Sequence, residues 1–151
     1  MKGSTHNFSI PALIFCPLMR YISRMFIRDL NECTEITAGD NTALRELFNP
    51  CIDPLDLRYS LAHAVVKPGE VTFLHRLRHS EVFYIIEGVA EMRIDHECRE
   101  VGPGQAIYIP PGAAQNIKNT GDRDLVFLAI VDPAWRPDDE DVMDARAMCK
   151  P

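Results

Sequence analysis

The feature that most constrains this chain is its punctuation. Apolar and β-branched runs are stopped after a few residues by Asn49-Pro50, Lys67-Pro68-Gly69-Glu70, Gly88, Asp95-His96 and Gly102-Pro103-Gly104. Proline withdraws a ladder donor and pushes the residue before it out of the helical region, and glycine supplies turn geometry, so each stop has a mechanism. What remains between the stops reads as strands at 25–30, 42–48, 57–66, 71–75, 81–87, 89–94, 97–101, 106–109, 115–119 and 125–131, with a turn at 37–41. Many short strands at close, regular spacing point to an all-β sandwich or barrel. Two stretches look different. Residues 54–57 have a brief helical character. Residues 137–148 place Pro137 before Asp138, Asp139, Glu140 and Asp141, which suits a helix start but equally a solvated acidic tail.

At 151 residues the chain is sized for one domain with a self-sufficient core. The expected division is an N-terminal extension at 1–24, a barrel at 25–136 and an acidic tail or helix at 137–151. The apolar stretch at 8–19 is too short for a membrane span. Only Lys2 precedes it while Arg20, Arg24 and Arg28 follow, the reverse of a signal peptide. These residues are expected to form a poorly ordered extension, with a functional start near Met25. A net charge of −6 argues against a nucleic-acid surface, which needs clustered Lys and Arg. Five cysteines with no C-x-x-C pair argue against a disulfide framework or thiolate zinc site, leaving reduced, mostly buried thiols in a cytoplasmic protein as the expectation.

The run at 81–87 carries a second message. Glu81, Phe83 and Ile85 share one strand face, and Val82, Tyr84 and Ile86 share the other. With both faces apolar, the outer one is expected to meet a second sheet or a second subunit, so a homodimer is expected. Trp135, the sole tryptophan, is expected to pack across the barrel or that interface.

Two segments carry the chemistry. The first runs from Gly69 through His75, Leu77, His79 and Glu81 to Gly88. The second runs from Gly104 through Pro110, Gly112 and Gln115 to Asn119. The first resembles cupin motif 1, G-x5-H-x-H-x3,4-E-x6-G, and the second resembles cupin motif 2, G-x5-P-x-G-x2-H-x3-N. Every patterned position matches except two: Leu77 and Gln115 stand where the family has histidines. The resemblance covers 57–131 firmly. It implies a double-stranded β-helix (jelly-roll) barrel of the RmlC-like, mannose-6-phosphate-isomerase-like kind. In metal-binding members the matching positions hold one divalent ion, which would leave His75, Glu81 and Gln115 as ligands. Such a mixed nitrogen and oxygen set suits Mn²⁺ or Fe²⁺, with Ni²⁺ or Zn²⁺ also open.

His79 could replace the ligand lost at Leu77 if the strand ran on unbent, but the family places a bend there, and the alternative is a surface or supporting position. His63, Tyr59, Tyr108 and Leu77 are candidate pocket residues, each equally readable as ordinary strand packing. Arg76 and Arg78 alternate away from His75, as solvent-facing charge or an anion-binding rim. His96 sits in a polar turn. No phosphate loop or nucleophile elbow is present. Two functions follow from the resemblance. One is a metal-dependent enzyme (isomerase, dioxygenase or decarboxylase) acting on a small polar metabolite such as a sugar phosphate or carboxylic acid, with His75 and Glu81 catalytic. The other is a metal-free, non-catalytic module in which Glu81 and Gln115 hydrogen-bond a small ligand.

Overall fold

In a computed structural model, which describes residues 25–143, the strands arrange as two antiparallel sheets facing each other. In chain order they are β1 (Glu35–Thr37), β2 (Ala43–Phe48), β3 (Ser60–Val66), β4 (Leu74–Leu77), β5 (Ser80–Glu87), β6 (Ala90–Ile94), β7 (Glu97–Val101), β8 (Ala106–Ile109), β9 (Gln115–Asn119), β10 (Leu125–Asp132) and β11 (Glu140–Met143). One sheet has the order β1-β2-β3-β10-β5-β8 and the other β11-β4-β9-β6-β7. This is a jelly-roll of the expected kind. Among the described residues no helix is long and apolar enough to cross a membrane.

Alternation decides what fills the interior. On β10, Leu125, Phe127, Ala129 and Val131 are buried, while the residues between them are half-exposed. β5 does the same with Glu81, Phe83 and Ile85. Phe83 and Phe127 meet with ring centroids 4.5 Å apart, and burying each ring contributes about 1.5–3 kcal/mol. The inward positions of β3 are small: Ser60, Ala62 and Ala64. With Ala129 they leave the middle of the barrel hollow. The chain passes between the sheets at Arg78-His79, where it bends, so β4 and β5 belong to different sheets although only two residues separate them.

Several expectations need correction. Residues 25–30 form no strand; Met25 and Ile27 are exposed, and a 3-10 turn at Leu30–Glu32 ends the segment. Residues 54–57 are not helical. Val71 makes only an isolated bridge to Lys118, because the Thr72 hydroxyl accepts from the Ile117 N–H and interrupts the ladder. The segment from Pro137 forms one 3-10 turn (Pro137–Asp139) and then β11, instead of a helix or free tail. Pairing along β4 gives its backbone groups partners that the single His75–Gln115 pairing with β9 leaves unmet. The barrel sheet therefore continues past residue 136. Cys51 is exposed, Cys33 is half-exposed and Cys98 is disulfide-bonded, against the expectation of buried, reduced thiols. The extension at 1–24, including the proposed start region before Met25, and residues 144–151 lie outside the described residues.

Gly88 shows how tightly the turn after β5 is built. Its φ is +82°, and a Cβ there would lie 2.7 Å from the Asp124 carbonyl oxygen and 2.8 Å from the Leu125 Cα. Gly104 has a similar φ of +83° but open space around it. Left-handed backbone costs a non-glycine residue roughly 1–2 kcal/mol, and Gly88 adds a backbone clash. Gly88→Ala is therefore expected to lower stability by about 3 kcal/mol or more and Gly104→Ala by about 1 kcal/mol, read from urea unfolding curves.

Candidate functional site

The barrel hollow, a cavity of ≈190 Å³, is walled largely by apolar side chains, among them Leu44, Leu77, Phe83, Phe127 and Val131. Its polar residues gather where the two sheets meet. His75 on β4 and Gln115 on β9 are cross-strand partners. Glu81 enters from β5, in the opposite sheet, and the Gln115 amide donates to its Oε2 at 2.6 Å. All three are buried, at 5%, 6% and 1% exposure. The structure thus brings together the residues at the matching motif positions. The Gln115 Oε1 is buried with no hydrogen-bond partner.

His75 is oriented by its Nδ1, which lies 3.1 Å from the Phe73 carbonyl oxygen. A carbonyl can only accept, so Nδ1 carries the hydrogen in this contact. Two carboxylates that were not anticipated complete the corner. Asp40 lies 3.9 Å from His75 Nδ1, held by Thr42, whose hydroxyl and N–H donate to it at 2.7 and 3.1 Å. Glu140, on β11 directly opposite Leu77, also lines the cavity. It comes close to Gly39, where a Cβ would lie 2.9 Å from Glu140 Oε2. The signals were present: Thr37-Ala-Gly-Asp-Asn41 reads as a turn and 138–141 as an acidic cluster. Neither local pattern says what it packs against.

The other candidates fall elsewhere. Leu77 is buried in the cavity wall. His63 is not in that wall, because Ala62 and Ala64 take the inward positions of β3; burial and the nearby Arg45 lower its pKa. Tyr59 and Tyr108 are exposed, at 38% and 62%, and Tyr108 alternates outward beside the inward Ile109. His79 follows the bend and sits 3.3 Å from the Asp139 carboxylate, tying β4 to the turn before β11, away from the cavity. Arg76, Arg78 and His96 are exposed. Trp135 lines the cavity and hydrogen-bonds Glu140.

Leu77 cannot ligate, the Gln115 amide N–H is engaged with Glu81 while its Oε1 has no partner, and among the described residues no group of three His, Cys, Asp or Glu side chains is placed to hold an ion. Burial, with smaller contributions from Asp40 and Glu140, pushes the Glu81 carboxyl up to about 7, against the opposing pull of His75 and Gln115. Burial also raises Glu140, opposed by His75.

A protein-family model described as "Cupin domain" matches residues 62–131. An uncharacterized protein of Methanocaldococcus jannaschii is 37% identical over 106 residues, covering 70% of this chain and 84% of that one. The chain belongs to the cupin family. Mannose-1-phosphate guanylyltransferase of Escherichia coli is 29% identical over 126 residues, 78% of this chain but only 26% of that enzyme. Among solved structures, a Cupin 2 conserved barrel domain protein from Salinispora arenicola superposes with a TM-score of 0.63 at 23% identity, covering 76% of this chain and 92% of that one.

The raised Glu81 pKa has a stability consequence. The folded protein holds this proton up to about pH 7, whereas the unfolded chain releases it near 4.5. Stability is therefore highest below pH 4.5, as far as this group is concerned, and falls as pH rises towards and through 7, by roughly 3 kcal/mol in all. Glu81→Gln is expected to flatten this fall in urea unfolding measured between pH 5 and 8.

Proposed function

We propose that this cupin binds a compact small molecule inside the barrel through apolar contact and a few hydrogen bonds, without a resident metal ion. The observation that carries this is the hollow itself: apolar walls closed at one corner by His75, Glu81 and the two further carboxylates. Mostly apolar pockets with a few convergent polar groups are the usual form of small-molecule sites. An engineered apolar cavity of about 150 Å³ takes up benzene, so a hollow of ≈190 Å³ suits a molecule only a little larger. Among the described residues His75 supplies the one imidazole in the wall, placed as a general base for such a molecule.

The metal-bound alternative keeps one supporting observation, the buried and unpartnered Gln115 Oε1. Elemental analysis of purified protein separates the two. The wild type is expected to carry far less than one divalent ion per chain, and the L77H/Q115H double variant is expected to gain close to one. A stoichiometric ion in the wild type, lost in both His75→Ala and Glu81→Ala, would overturn the metal-free proposal.

A second copy of the chain is the proposed partner of the outer face of the six-stranded sheet. Tyr84 and Ile86 are exposed at 44% and 39%, and Val82 pairs in register with Tyr108, which extends the apolar surface. Sedimentation velocity is expected to give a dimer that Tyr84→Lys dissociates. A wild-type monomer throughout the micromolar range would count against it.

A further inference from the structure

The charge inventory of the cavity goes further than its size. Four carboxylic acids line it: Asp40, Glu46, Glu81 and Glu140. Among the described residues no Lys or Arg does. The nearest candidate, Arg45, alternates to the opposite face of β2, where its guanidinium lies 3.4 Å from Glu35. Arg76 and Arg78 are exposed. The wall also holds the Thr37 and Ser60 hydroxyls as donors, but the donors at the polar corner are engaged. The Thr42 hydroxyl is spent on Asp40, the Gln115 amide on Glu81 and the His75 Nδ1 on a backbone carbonyl. Acceptors are in excess, including the buried and unpartnered Gln115 Oε1. Three aromatic rings, Phe83, Phe127 and Trp135, stand in the same wall.

Each of these facts selects against an anion. A phosphate or carboxylate entering the corner would meet like charge in a water-poor setting, with no arginine or lysine to receive it. A cation gains from all three: carboxylates for its charge, acceptors for its N–H groups and ring faces for its apolar and cationic surface. The apolar wall distinguishes an organic cation from an inorganic one, which would need a shell of oxygen ligands. Resting on the barrel being a ligand site, we infer that its occupant is a compact organic amine, bound as the ammonium ion with its body against Phe83 and Phe127 and its charged head towards Asp40 and Glu140. This sets the chain apart from the sugar-phosphate and carboxylic-acid ligands that its family resemblance suggests.

Isothermal titration calorimetry with three probes of matched shape tests this: benzylamine, benzyl alcohol and benzoate, near neutral pH and at low salt. Benzylamine is expected to bind at least about ten-fold more tightly than benzoate, with benzyl alcohol between them. Glu140→Gln is expected to shrink that preference several-fold. Asp40→Asn, which keeps the turn's hydrogen-bonding shape, is a second variant should Glu140→Gln fold poorly. Ala62→Leu, which fills the hollow, is expected to abolish binding of all three. Benzoate or benzyl alcohol binding as tightly as benzylamine would overturn the amine inference and leave the barrel standing as a ligand site. No heat with any probe would overturn both.

Discussion

A β-strand has a period of two, and on β5 that period cannot be satisfied without burying a carboxyl group. Phe83 and Ile85 must face the core, so Glu81 faces it too. Much of the site follows from this constraint. A buried carboxyl needs a hydrogen-bond partner, and Gln115 reaches it from the opposite sheet. That contact joins the two sheets at the corner where β4 delivers His75. The raised pKa of Glu81 is the energetic trace of the same burial.

The two departures from the family pattern have different consequences. Leu77 replaces a ligand position with wall, and the strand opposite it, β11, brings in Glu140. Gln115 retains a place at the corner, where its amide N–H holds the Glu81 carboxyl group and its Oε1 is left without a partner. Together they leave a corner in which His75 and Glu81 are joined by two further carboxyl groups, Asp40 and Glu140. The small residues on β3 and β10 matter as well, because they leave the middle of the barrel hollow.

The motif glycines, prolines and spacing made the barrel legible, since they act locally through turn geometry. Gly88 and Asn119 illustrate this. Gly88 sits where no Cβ fits, and the Asn119 amide donates to the Val66 and Arg123 carbonyls, closing the loop before β10. Inward and outward alternation on 81–87 was legible for the same reason. His63, Tyr59 and Tyr108 were not, because knowing that a strand alternates does not say which parity faces in. On β3 the answer is Ala62 and Ala64, which face the cavity beside their cross-strand partners Ala129 and Phe127 on β10.

By itself, then, the sequence determined the class of fold through its turn residues, and its resemblance to the cupin motifs implied the meeting of His75, Glu81 and Gln115. It also determined that Leu77 removes a ligand, since no environment gives leucine a lone pair. Only the tertiary structure decided that the acidic segment after Pro137 becomes an edge strand and that Asp40 and Glu140 close the cavity's polar corner. Those contacts join residues far apart in the chain, through backbone groups that any sequence carries. For that reason composition and periodicity leave them invisible, while they set the sign of the charge inside the barrel.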